Sequence, residues 1–309
     1  MGLQLPQPTA KRAAAPVRRL ATGALIAATL LFLSACDAAD KDQIARLAMP
    51  EPATAQAPHT FELWKWSWVA AMVTGVIVWG LIFWVVVKYR RRSDDEIPVQ
   101  TRYNLPLEIF YTIAPIMMVI VFFYWTVNVQ NKLIELDPEP DVTIEVVGQQ
   151  WQWTFNHGVG EATGPATPNY TDNDYRYDDY VYVVGDGDTI PTLMLPVDET
   201  IQFNLHSPDV IHSFGVIPFL MKMDVVPGRV NKFQATPTVI GDYKGKCFEL
   251  CGVDHSRMLF NVKVVSQADY DAYLAELAEQ GAESDAPLLG GSNARTQAGL
   301  DDDSEGGHE

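Results

Sequence analysis

The chain has 309 residues, enough for one or two domains. Its 39 acidic and 22 basic residues give a net charge of −17, which excludes the basic footprint of a nucleic-acid binder and leaves basic proteins as the charge-matched partners. The 48% hydrophobic content is gathered into a few long runs, and three cysteines cannot close a disulfide framework.

Residues 1–35 read as a processing segment. Lys11, Arg12, Arg18 and Arg19 form a basic stretch, and Leu20 to Leu33 is a charge-free apolar run too short to span a membrane comfortably. Leu33-Ser34-Ala35-Cys36 then resembles a bacterial lipoprotein signal, with cleavage before Cys36 and lipid on its thiol. An ordinary secretory signal with an incidental Cys36 is the alternative. Residues 36–60 are rich in Ala, Pro and Asp without periodicity and read as an extracytoplasmic tether.

Residues 61–131 read as a transmembrane hairpin. Trp66 to Val87 carries no charge over a length of about 33 Å as a helix, enough for the hydrocarbon core. Trp64, Trp66 and Trp68 stand at its start as an interfacial anchor. Lys88, Arg90, Arg91, Arg92 and Arg102 place the following loop in the cytoplasm. Ile109 to Gln130 is a second uncharged run, with Pro115 expected to kink it. Both ends of the hairpin are then extracytoplasmic.

Residues 132–265 read as an all-β domain. The strand candidates are Val142–Val147, Gln150–Phe155, Tyr180–Val184, Thr192–Leu195, Thr200–Leu205, Asn231–Ala235 and Phe260–Val265, punctuated by Pro, Gly and Asp in the manner of a sandwich. Trp151 and Trp153, two apart, are expected to share a sheet face. The loop from Gly158 to Tyr180 carries Asp172, Asp174, Asp178 and Asp179 and is either a solvated connector or a docking surface. Ser266 to Asp269 resembles a capping box, and Tyr270, Tyr273, Leu274 and Leu277 continue it as a helix over residues 266–280. Residues 281–309, with Asp301, Asp302 and Asp303, read as a disordered acidic tail.

The chemistry concentrates in Cys247, Cys251, His255 and Met258, with His212 upstream. Two thiolates, two imidazoles and a thioether form a soft donor set that favours copper, and zinc less specifically. A mononuclear blue-copper site needs only one thiolate, so the second cysteine points to two bridged metal ions. A disulfide between Cys247 and Cys251 would explain neither histidine nor Met258. Gly252 and the surrounding β pattern favour a ligand loop over a helix, and His212 would come from another loop.

The pattern Cys247, Glu249, Cys251, His255 and Met258 resembles subunit II of the haem-copper cytochrome c oxidases. Ser207–Phe214, Pro227-Gly228-Arg229 and Gly148–Phe155 resemble further stretches of that family, and the likeness covers roughly residues 61–265. It implies a two-helix hairpin followed by a cupredoxin-like Greek-key sandwich with a dinuclear copper A centre. Copper would be held by His212, Cys247, Cys251, His255, Met258 and the Glu249 backbone carbonyl. The Glu249 side chain would reach a magnesium or manganese ion at the interface with subunit I, and Asp209 matches a neighbouring acidic position. Trp151 would be where electrons enter, although the family usually has an aromatic residue where Gln152 stands. Glu108 would take up protons at the cytoplasmic edge of the second helix; read without the family it is an ordinary helix-start carboxylate.

The implied function is to accept electrons from cytochrome c and pass them to haem in subunit I, where oxygen is reduced to water and protons are pumped. The chain would hold neither that haem nor the oxygen site, and would work with subunits I and III. The lipoprotein-like start and the acidic loop resemble forms that join a cytochrome bc complex in a supercomplex, which makes a membrane-attached multihaem cytochrome c one candidate donor. Rivals are a quinol oxidase subunit, which would lack the copper ligands, and a lipoprotein that delivers copper. His59, His157 and His206 have no family counterpart and are expected at the surface or behind the site.

Overall fold

The computed structural model describes residues 23, 38–93, 96–97, 99–162, 177–185 and 189–290. The basic leader, Cys36, Asp172, Asp174 and Asp301–Asp303 lie outside them. Residues up to Met49 form one compact unit and residues from Pro50 a second. In the first, a short helix α1 (Ala38–Ala45) breaks the expected structureless tether.

The second unit contains both apolar helices. Helix α2 (Ala57–Lys88) starts nine residues before the uncharged run, so its first turns carry His59, Glu62 and Lys65 ahead of the apolar span. Helix α3 (Leu105–Leu133) opens on Asn104, whose side chain accepts the Leu107 N–H, and it runs through Pro115. Both are long and apolar enough to cross a membrane, and their apolar windows are unburied by the rest of the protein.

The β-domain is built from β1 (Val142–Gln149), β2 (Gln152–Ala162), β3 (Tyr177–Val184), β4 (Thr192–Pro196), β5 (Ile201–His206), β6 (His212–Val216), β7 (Met221–Val225), β8 (Asn231–Ala235), β9 (Gly241–Cys247) and β10 (Leu259–Val265). Helix α4 (Gln267–Glu279) follows, capped by Ser266 Oγ accepting the Asp269 N–H, and then a two-residue strand, β11 (Glu283–Ser284). One sheet has the order β11-β3-β2-β1-β5-β8 and the other β4-β10-β9-β6-β7. The β1/β5 and β10/β4 pairs are parallel, and the other pairs are antiparallel. The result is a cupredoxin-like sandwich rather than a closed barrel.

An aromatic core lies between the sheets. Phe214 stacks on Phe260 with ring centroids 5.0 Å apart, and Phe203 stacks on Phe233 at the same separation. Trp153 meets Phe214 and Phe260 edge-on. Strands β6, β7 and β9 are absent from the sequence reading. Strand β9 reads GDYKGKC, and its inward positions are glycine and cysteine rather than branched apolar residues. Gly245 is obligatory because the Phe260 ring lies against it: a Cβ there would come within 2.0 Å of that ring.

Three chain segments are clasped to the domain, two of them outside the residues 132–265 expected to form it. Thr54 forms an isolated bridge to Pro237, and Ala53, Ala55 and Thr238 complete the backbone bonding there. Gln56 accepts the Thr236 N–H, so the segment entering α2 is docked on the domain. After α3, the Asp137 backbone exchanges two hydrogen bonds with the Gln234 amide. The start of the expected tail is also ordered: β11 pairs with β3, and the Asn156 side chain takes both backbone groups of Leu288. Buried Asn and Gln side chains supply what apolar periodicity could not announce, since amides satisfy backbone groups wherever they face them.

Candidate metal centre

Strand β6 begins with His212 and central strand β9 ends with Cys247, and their pairing sets Phe214 opposite Cys247. His212 is therefore the first residue of a strand, where the segment from β5 enters it. Beyond Cys247 the chain turns through Cys251 into a single 3-10 turn at His255–Arg257 and returns as β10. Gly252 makes this return possible. Its φ of +128° disfavours any side chain, and a Cβ would come within 2.9 Å of Trp151.

The donors converge. The Cys247 and Cys251 sulfurs are 3.8 Å apart and are separate thiols. His212 Nδ1 lies 4.0 Å from Cys247 Sγ, and His255 Nδ1 lies 3.5 Å from Cys251 Sγ. Met258 Sδ is 3.8 Å from Cys251 Sγ, and the Cys247 thiol meets the Glu249 carbonyl at 3.1 Å. Each thiol thus has its own imidazole. Among the described residues, His212, Cys247 and Cys251 form a cluster that could hold a metal ion. Cys247, Cys251, His212 and Met258 are buried, His255 is half-buried, and the Glu249 side chain is exposed.

Neighbouring residues orient these donors. Asp209 accepts from His212 Nε2 at 2.9 Å, which turns Nδ1 toward Cys247. The same carboxylate accepts the N–H groups of Gln150 and Val210. Burial alone would raise the Asp209 carboxyl, but these bonds outweigh it and hold it below the usual carboxylate range. Burial alone would lower His212, but its bonds to Asp209 and Cys247 raise it. Burial also opposes ionisation of Cys247, yet His212, backbone contacts at Ser213 and Glu249, and His255 bring its thiol down to about 7. Cys251 moves the other way: burial and the adjacent Cys247 sulfur push it up to about 12. The metal-free site thus forms one thiolate readily, and a cation must displace the second proton.

Trp151 sits in the turn before β2, half-buried rather than fully exposed. Its indole N–H donates to the Cys251 carbonyl at 3.2 Å, and that of buried Trp153 donates to the Met258 carbonyl at 3.3 Å. Both tryptophans therefore turn toward the ligand segment. Gln150 Nε2 also donates to the Cys251 carbonyl, a contact its neighbour Trp151 could have suggested. Glu108 lies far along the chain in the first turn of α3, where its carboxylate accepts the Asn104 N–H. Of the other histidines, His157 is fully buried on the Tyr270 hydroxyl, His206 is bonded to Glu145, and His59 faces the groove between α2 and α3.

A family model described as cytochrome c oxidase subunit II, periplasmic domain, matches residues 142–265. The probable cytochrome c oxidase subunit 2 of Streptomyces avermitilis is 48% identical over 286 residues, spanning 86% of this chain and 89% of that one. Cytochrome c oxidase subunit 2 of Mycobacterium tuberculosis is 35% identical over 300 residues, spanning 84% and 82%. The chain belongs to the cytochrome c oxidase subunit II family. A crystal structure of the periplasmic domain of subunit II from Bradyrhizobium japonicum, 26% identical, covers 47% of this chain and 99% of that one with a TM-score of 0.36. As a family member the chain is a membrane protein with an extracytoplasmic domain. It serves electron transfer within a haem-copper oxidase complex and does not carry that complex's catalytic centre.

Proposed function

We propose that this chain accepts electrons from cytochrome c at a dinuclear copper A centre and hands them to haem in subunit I, for oxygen reduction coupled to proton pumping. The observation that carries this reading is the convergence of two thiols, each with its own imidazole, beside a thioether and a backbone carbonyl. The donor set fits the group: a tetrahedral zinc ion would leave the thioether without a role, and a mononuclear copper site would leave one thiolate over. His212, Cys247, Cys251, His255, Met258 and the Glu249 carbonyl would hold it. When bound, the group would supply a store for one electron at a time.

This chain's own residues do the rest. Asp209 holds the His212 ring in the tautomer that offers Nδ1, and the two tryptophan N–H groups pin the carbonyls of the ligand segment. Trp151 is proposed as the contact where electrons enter, the exposed Glu249 carboxylate as a ligand for magnesium or manganese at the subunit I interface, and Glu108 as a proton-uptake group. Subunit III, a bc-complex multihaem donor in a supercomplex, and lipid on Cys36 belong to the same proposal. Retention of every copper-ligand type argues against the quinol-oxidising alternative.

The test is metal content with low-temperature electron paramagnetic resonance on the full chain. Two coppers per chain and a signal from one electron shared over both are expected. One copper or none after reconstitution would overturn the assignment and favour the copper-delivery reading.

A further inference from the structure

We propose that Glu145 and His206 are positioning residues for His212, acting through the segment 207–211; the inference rests on the reading of His212 as a copper ligand. Glu145 lies on β1, on the face of its sheet away from the aromatic core, and is fully buried. Asn204 Nδ2 donates to Oε1 at 2.7 Å, and His206 Nε2 lies 2.6 Å from Oε2. A buried carboxylate is tolerated only when donors face its oxygens, and here each oxygen has one.

The register shows what the pair does. Strands β1 and β5 run parallel with Glu145 opposite Asn204 and Val147 opposite His206. The His206 ring therefore leans back along the strand to reach Glu145, at the last residue of β5. Segment 207–211 leaves from that point. Ser207 Oγ donates to the Val210 carbonyl and to Asp209 Oδ1, and Asp209 accepts from the Gln150 N–H and binds His212. Glu145 and Gln150 bracket the end of the same strand. The segment is thus tied to β1 at both ends: His206 to Glu145 where it begins, Asp209 to Gln150 where it reaches the site. From the other side, Gly290 packs closely against Pro208 and Gln149. A pair of apolar side chains could fill the space under β5. Only a directional bond fixes the heading of the chain as it leaves the strand toward His212.

The experiment uses the full chain in lipid nanodiscs with 15N-labelled histidine, metal-free and then copper-loaded; six histidines keep the spectrum assignable by single replacements. Wild type should show His212 as the Nε2–H tautomer and hold two coppers. His206→Leu should move the His212 resonance and speed copper loss to a chelator about fivefold. His206→Gln, which can donate to Glu145 again, should recover most of both. Should His206→Leu fail to fold, Glu145→Leu/His206→Leu, which leaves no buried carboxylate unmet, takes the same measurements. An unchanged His212 resonance and unchanged copper retention in a folded variant would overturn the inference. Wild type failing to take two coppers would instead overturn the reading of the site, and the metal-free spectra would still report whether the pair orients His212.

Discussion

Asp209 joins four groups with one carboxylate: the His212 ring, the Ser207 hydroxyl and the backbone N–H groups of Gln150 and Val210. Asp209→Ala should therefore lower copper affinity by about 10–100-fold while leaving every proposed ligand in place, as chelator competition would measure. The two thiols should differ as sharply. In a metal-free Cys36→Ser chain, Cys247, whose thiolate is favoured by His212 and by backbone contacts at Ser213 and Glu249, should react with iodoacetamide at lower pH than an ordinary thiol, while Cys251, held protonated by burial and the adjacent sulfur, stays unreactive through neutral pH. Equal reactivity would remove the asymmetry. His157 gives a different pH dependence. Burial lowers its pKa from 6.5 to about 3, so the unfolded chain takes up the proton first as pH falls. Its stabilising effect is complete above pH 6.5 and is lost progressively toward pH 3. Between pH 7 and 4.5, wild type should lose about 2–3 kcal/mol more than His157→Phe in urea unfolding. At this scale the donors were legible because their spacing is local. The unequal thiols and the burial of His157 depend on which strands become neighbours, and no spacing encodes that.

Among the elements, the helices and the strands with alternating apolar residues were legible, although α2 starts nine residues before the run that announced it and β2 continues past Phe155 to Ala162. Strand β9 was not, because Gly245 and Cys247 occupy the places where a strand normally announces itself. Gly245→Ala should destabilise the domain by about 1–3 kcal/mol, and Phe260→Leu in the same chain should recover part of it, as chemical denaturation would show. The ordered start of the C-terminal segment escaped notice for a related reason. Residues 281–290 carry only Leu288 and Leu289 as large apolar side chains, with no periodicity, and Asn156 on another strand holds the Leu288 backbone. In Asn156→Ala, hydrogen exchange should rise at Leu288 and at β11 while β1 and β5 stay protected. Uniform protection across the segment would show that the amide is not what holds it.

Across the whole molecule, the hairpin and the sandwich were visible from hydropathy and alternation, and the topology follows from the cluster Lys88–Arg92. A cysteine replacing Ser93 should react with a membrane-impermeant maleimide only from the cytoplasmic side, and one replacing Asp271 only from outside. The attachment of the two parts was not visible. Residues 53–56 bind partners about 180 positions later, and nothing in Ala-Thr-Ala-Gln foretells that. The chain enters the membrane hairpin from a segment bonded at residues 236–238 and returns through one bonded at Gln234. A head held at two such points is no swinging arm. It cannot travel to collect its cargo, so whichever redox protein feeds it must do the moving.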